Sequence, residues 1–591
     1  MKYSRIVATL LALLLVAAPA AFAAWSTDPA VNLSVADLSG DQAQPKIAPT
    51  DDGGCYISWF DNNSGGYDVY LQRLDAAGDE QWPHNGLLIA DRSFSSTEDY
   101  GLDVDSSGNA VLAFRDDRFI GTVITAVTVA PDGSMPWGAT GVQLTAGAEV
   151  HSPRIAGTTD GNVVVGWTDT TGTRLQKLDA TGAAQWGSGV VFSDAGGASF
   201  FISALHGSDA GNVIVSWVSF GPNYWDPRHL FAQKLDPSGA SLWTSSGAYV
   251  TVFDGDTLQF GNYPDFCTDG SGGAVFSWYG TGVLQCYAQR ILADGSEQFA
   301  HNGVAVSTNS VRLRVSPHAS FDPASGNIFV FWTETNSVQS QDGVYGQKIS
   351  GSGFRLWGAS GKELVPLSGT SRYFVNTLQH DDGALAFWIE SPSYGNDVIK
   401  ATRVDGNGDF VWSGEIIEAG SQPSSKGRLS AKLSDDGYAI LTWSDDRAGD
   451  LDIIAQNVNM DGTLGYTGSS TVSADLACLP GAGTVPFTST FTVTIDNDYA
   501  DQTRRMAGRI DIALANGGNV GNWRAGFTNI AGGGSFVTGW NTTVPAIGTV
   551  IGTNTFTLSV EDVTPAPYNQ PPYPASGDTD TASCDVVGIA P

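Results

Sequence analysis

Six acids recur two residues after the aromatic that ends a repeated apolar run: Asp61, Asp116, Asp169, Glu334, Glu390 and Asp445. Carboxylates at equivalent heights around a ring could hold Ca²⁺, a hard cation that prefers oxygen ligands. The ordinary alternative is that each acid caps its own loop or pairs with a nearby arginine such as Arg118 or Arg447. A residue present in most copies serves the copy first, so capping is the favoured reading. A glutamine recurs in the same manner, as Gln72, Gln176, Gln233, Gln289, Gln347 and Gln456. A buried amide must be hydrogen-bonded, so these glutamines are read as ties between strands. Aromatic chemistry is the other candidate. Tyr224, Trp225, Arg228, Tyr263 and Tyr394 lie in the longer connections between apolar runs. Their rings suit stacking on a sugar or gripping a peptide, against packing under their own loops. Hydrolytic signatures are missing: there is no G-x-S-x-G. His84 and His301 stand in equivalent His-Asn-Gly turns, so both are read as structural.

The elements that position these residues come from a repeat. Runs ending in an aromatic include Cys55-Tyr56-Ile57-Ser58-Trp59, Val213-Ile214-Val215-Ser216-Trp217 and Ala439-Ile440-Leu441-Thr442-Trp443. The terminal aromatics are Trp59, Phe114, Trp167, Trp217, Trp278, Trp332, Trp388 and Trp443, roughly 55 residues apart, a period typical of repeat architectures. Each copy reads as four strands with Asp/Gly hairpin turns after the first and third. A last strand is marked by Trp82, Trp137, Trp186, Trp243, Phe299, Trp357 or Trp412. Four antiparallel strands per repeat predict an all-β fold, an eight-bladed β-propeller. The eighth copy lacks its final strand, and an orphan one, Trp25 to Leu33, opens the chain after an apolar leader. That segment is expected to close the ring beside Ile453–Val458. The hairpin turns all fall on one face of the disc. The longer second-to-third and fourth-to-first connections share the other, where binding is expected.

The chain of 591 residues carries 61 Asp plus Glu against 29 Lys plus Arg, a net charge of −32. So acidic a surface repels phosphate backbones and argues against a nucleic-acid partner. Lys2 and Arg5, an apolar run and Ala21-Phe22-Ala23 read as a signal peptide over residues 1–23, too short to span a membrane. The protein is expected to be secreted, cell-surface or periplasmic, with no transmembrane segment. After residue 466 the texture becomes Thr/Ser/Val-rich alternation, which predicts an Ig-like β-sandwich over residues 470–591. Cys478 and Cys584 flank that unit among five cysteines. They form a disulfide or remain two unpaired thiols.

Trp443-Ser444-Asp445-Asp446-Arg447 and Phe231-Ala232-Gln233-Lys234 resemble repeats of secreted bacterial β-propeller proteins distantly similar to sialidase-like propellers. The resemblance covers residues 25–464 and implies fold. The arginine triad, Tyr/Glu pair and Asp acid of sialidases are not placed in this chain. The C-terminal unit looks like accessory Ig-like modules, which serve attachment or spacing. The expected function is a non-catalytic binding or scaffold protein, over residues 24–466, that presents its loop-rich face to a glycan or an extracellular protein. No cofactor is expected beyond the Ca²⁺ considered above. The alternative is a secreted glycoside hydrolase or polysaccharide lyase using carboxylates on the same face.

Overall fold

The computed structural model describes residues 25–147, 149–223, 225–244 and 249–466. Beyond these it describes 472–479, 482–484, 487–497, 504–516, 519–530, 534–544, 551–562 and 579–589. The expected signal peptide lies outside the described residues. No described helix is long and apolar enough to cross a membrane. The chain divides into two compact units between Tyr466 and Thr467.

In the first unit each repeat folds into a four-stranded antiparallel sheet, and the described residues contain eight of them. Sheet one runs Gln42–Pro49, Cys55–Asp61, Asp68–Leu74, Leu87–Ala90. Its second strand is buried at every position, because neighbouring sheets cover both of its faces. The first strands of successive sheets touch one another around a complete circuit, in which Gln42–Pro49 also meets Lys426–Leu433 of sheet eight. This is the arrangement of a β-propeller, with first strands lining its axis.

The N-terminal segment completes sheet eight, whose order places Leu33–Ala36 outside Asp452–Val458. Leu33 faces Ala455 and Ala36 faces Ile453. The pairing strand is therefore Leu33–Ala36, not Trp25–Leu33 as the sequence suggested. Trp25 is committed elsewhere: its backbone N–H donates to Ala77 and its indole N–H to the Ala76 carbonyl, both in sheet one.

That indole contact is one of a series. The indole N–H groups of Trp82, Trp137, Trp186, Trp357 and Trp412 donate to carbonyls of Pro131, Ala180, Pro237, Gly406 and Met460, each in the next sheet's hairpin. The ring lies on the turn glycine. A Cβ on Gly78 would come within 2.6 Å of Trp25, and that glycine, itself at φ +85, has counterparts at φ +78 to +88 around the disc. The aromatics expected inside the fourth strands thus sit just before them, as latches between sheets. The repeated glutamine holds four of these aromatics in place: Gln176, Gln233, Gln289 and Gln347 accept the backbone N–H of Trp186, Trp243, Phe299 and Trp357.

The second unit has a three-stranded sheet (Val472–Leu479, Phe487–Asn497, Ser535–Val544) and a five-stranded one. The latter includes Arg504–Ala513, Gly552–Asp562 and Thr579–Ile589. Phe491 and Ile495 of the one share a core with Ile510, Phe556 and Val586 of the other. The Cys478–Cys584 disulfide joins the two sheets. Cys55, Cys267 and Cys286 are free.

Candidate ligand-binding site

The repeated acids are held within their own sheets or by the strand alongside. Asp116 receives Arg118, and Asp169 receives Thr171 and Arg174. Glu334 accepts from the Trp332 indole and pairs with Arg314, both carrying side chains almost wholly buried. Glu390 pairs with Arg372. Asp445 gathers Trp443, Ser424, Lys426 and Arg447. Asp61 accepts the Asn63 N–H. Among the described residues no group of three or more His, Cys, Asp or Glu is placed to hold a metal ion. The contacts of the six acids are thus with loop N–H groups, hydroxyls, an indole and neighbouring cations.

The loop candidates separate. Tyr224 lies outside the described residues. Trp225 is 79% exposed on the second-to-third loop of sheet four. Tyr394, 97% exposed, tips the corresponding loop of sheet seven. The same loops of sheets two, five and six present exposed Ile120, Val283 and Val338. Arg228 is buried, with its guanidinium over Phe220 and Phe260, which makes it a brace for the loop rather than a free cation. Tyr263 packs on Phe201 and Phe220.

Tyr263 also lines a cavity of ≈ 1420 Å³ along the axis. Its walls come largely from the first strands of sheets two to eight and from the loop leading into that of sheet five. Lys46, Arg154, His318, Asn376 and Ser430 occupy one register position, each opposite the residue before the second-strand aromatic. Two residues before each of these stands a left-handed non-glycine: Gln44, Ser152, Ser316, Phe374 and Arg428, at φ 46 to 56. The ladders shift there, so the strand lining the channel is bulged in five sheets. Bulges turn the following side chains and are commonly found next to sites.

At the channel the polar groups are Asp103, His206, Asp265, His318 and Lys432, with Phe260, Tyr263, Tyr373 and Phe374 as aromatic wall. His206 Nε2 lies 2.8 Å from Asp265. Burial disfavours the Asp265 carboxylate, but His206, Lys432 and the Phe266 N–H overcome it and hold the group well below the usual carboxylate range. Burial raises Asp103 above that range, with its Oδ2 accepting the Gly157 N–H. Burial also takes His318 down to about 4, so its ring is neutral at pH 7. Its Nδ1 accepts the Thr377 N–H, which leaves Nε2–H as a donor.

Of these groups only Tyr263 was singled out from the sequence. Residues common to the copies were sought there, whereas the channel positions differ from sheet to sheet. Variation at one register position, of which His318, Asn376 and Ser430 line the cavity, was the available signal.

No family model matches the chain, and no curated protein matches it. Among solved structures it is similar to prolyl oligopeptidase B from Galerina marginata, at 12% identity over 69% of this chain and 55% of that one, TM-score 0.39. It thus spans about half the length of that protein, 55%. The Dos1 propeller is 14% identical over 72% of this chain and 95% of that one, TM-score 0.38. The endo-arabinase from Bacteroides thetaiotaomicron is 10% identical over 43% and 90%, TM-score 0.25. Nothing about activity follows from likenesses of this size.

Proposed function

We propose that the chain is an exported, non-catalytic glycan-binding protein. In this reading residues 1–23 are a signal peptide, residues 24–466 form an eight-bladed propeller, and residues 470–591 form an Ig-like module for spacing or attachment. The eight four-stranded sheets with touching first strands support the blade count. Two sheets around one core, joined by a disulfide, support the module and a compartment outside the cytosol.

The axial cavity of ≈ 1420 Å³ carries the binding reading. Ligand sites are typically clefts of roughly 300–1,000 Å³ with aromatic walls and a few polar groups, and this cavity has that lining in a somewhat larger volume. Phe260 and Tyr263 offer faces for sugar rings, while Asn376, Asp103 and His318 offer hydrogen-bond partners for hydroxyls. A hydrolase reading has one observation of its own. Asp103 is raised while Asp265 is lowered in one cavity, and such a split marks acid and base roles in known sites. The Asp265 hydrogen bond with His206 occupies it, which favours binding.

Full-length protein on a glycan array, beside a sugar-release assay on polysaccharides, tests both. Binding without release is expected, and Phe260→Ala should weaken it about tenfold, as for an interface anchor. Release that disappears in Asp103→Asn would replace this reading with the hydrolase.

A further inference from the structure

Lys432 stands apart from the other lysines. Lys46, Lys177, Lys234, Lys362, Lys400 and Lys426 are each in an ion pair. Lys348 donates to the carbonyls of Asp382 and Gly406. Lys432 has an exposed side chain on the axial cavity and makes no ion pair or hydrogen bond among the described residues. It is a free cation in a chain with two acids for every base, 61 against 29. Its place is fixed by the fold. It lies on Lys426–Leu433, opposite Ile440, two residues beyond the channel position Ser430. Alternation along the strand gives both residues the same side.

Its surroundings narrow the ligand. It lines the same cavity as Asp103, Asp265, Cys267 and His318. Asp265 already has His206, and Asp103 has the Gly157 N–H. These carboxylates repel a dianionic phosphate but accept hydrogen bonds from hydroxyls. A single ammonium matches a single carboxylate. The aromatic wall of Phe260, Tyr263 and Tyr373 suits the apolar face of a sugar ring.

We infer that the axial cavity binds an acidic saccharide, with the carboxylate of a uronate unit on Lys432. This rests on the glycan-binding reading above and specifies its ligand class.

The test compares uronate trisaccharides (galacturonate, mannuronate, guluronate and glucuronate) with their methyl esters by calorimetry on the full chain. Esterification removes the charge and keeps the ring. At least one acid should bind about tenfold or more tightly than its ester, the usual scale of a hydrogen bond to a charged group. Lys432→Met should bring acid and ester to equal affinity. Lys432→Arg should restore the preference in part. Equal binding of acid and ester by the unaltered chain, or a preference that survives Lys432→Met, overturns the uronate assignment and leaves glycan binding standing. No binding of any probe overturns the assignment. If a neutral-glycan array is then also blank, the binding reading falls with it.

Discussion

His84 lies between two carboxylates, with Nδ1 3.0 Å from Glu80 and Nε2 3.0 Å from Asp37. Asn85, the next residue, accepts the Asp37 N–H. His301, Glu297, Asp254 and Asn302 repeat the arrangement at the junction of sheets four and five. The Glu80 hydrogen bond, against some loss of hydration, raises His84 to about 9. A histidine raised on folding stabilises fully below its unfolded value, about 6.5, and the contribution is lost as pH climbs through the folded value. The melting temperature should therefore fall as pH rises from about 6.5 to about 9. Thermal unfolding followed by circular dichroism should show a shallower fall in that window for His84→Gln. An unchanged slope would remove His84 from the ring's ion pairs. The structural role of both histidines was legible in the repeated His-Asn-Gly. Their acidic partners were not, because Asp37 and Asp254 arrive from the sheet before.

The strands were legible as elements because their burial is two-sided: seven consecutive buried residues in Cys55–Asp61 and again in Ala439–Asp445 leave no alternation to mislead. The Asp/Gly turns followed from the positive φ they require. The bulges were not legible. Gln44, Ser152, Ser316, Phe374 and Arg428 share a backbone conformation but no side-chain type. The latching tryptophans were visible, but their purpose was not, since their partners are backbone carbonyls roughly 50 residues on, with separations of 43 to 51. In the second unit, the Cys478–Cys584 bridge ties Val472–Leu479 to Thr579–Ile589 across a separation of 106 residues. Loops of that length lose much freedom when closed. Cys478→Ser with Cys584→Ser should cost that unit about 2–5 kcal/mol. In urea unfolding one transition should move to lower denaturant. Equal midpoints with and without the bridge would make it dispensable.

Closure is a property of the whole circuit. Besides the Leu33–Ala36 pairing, Asn32 donates to Gln456 and to the Ala419 carbonyl, Gln456 donates to Ser26, and Tyr438 donates to Gly53 and Ala76. The sequence located this seam through the missing final strand, and erred by the few residues that separate Trp25 from Leu33. A chain without residues 25–36 would leave Asp452–Val458 with an unpaired edge and Gly78 without its tryptophan. Open edges invite pairing with other chains. Size-exclusion chromatography should show this truncation as larger species than the full chain, with a less cooperative melt. A truncated chain that elutes and melts like the parent would mean the seam holds without its strand.

The seam also sets an order of events on the ribosome. Asn32 and Gln456 are 424 residues apart, yet each needs the other. Leu33, Val35 and Ala36 are made long before their partner strand, Asp452–Val458, and stay without it until nearly the whole first unit has been made. Until then the nascent chain carries an unmatched apolar segment, which gives holdase chaperones a reason to attend it until the first unit's two ends meet.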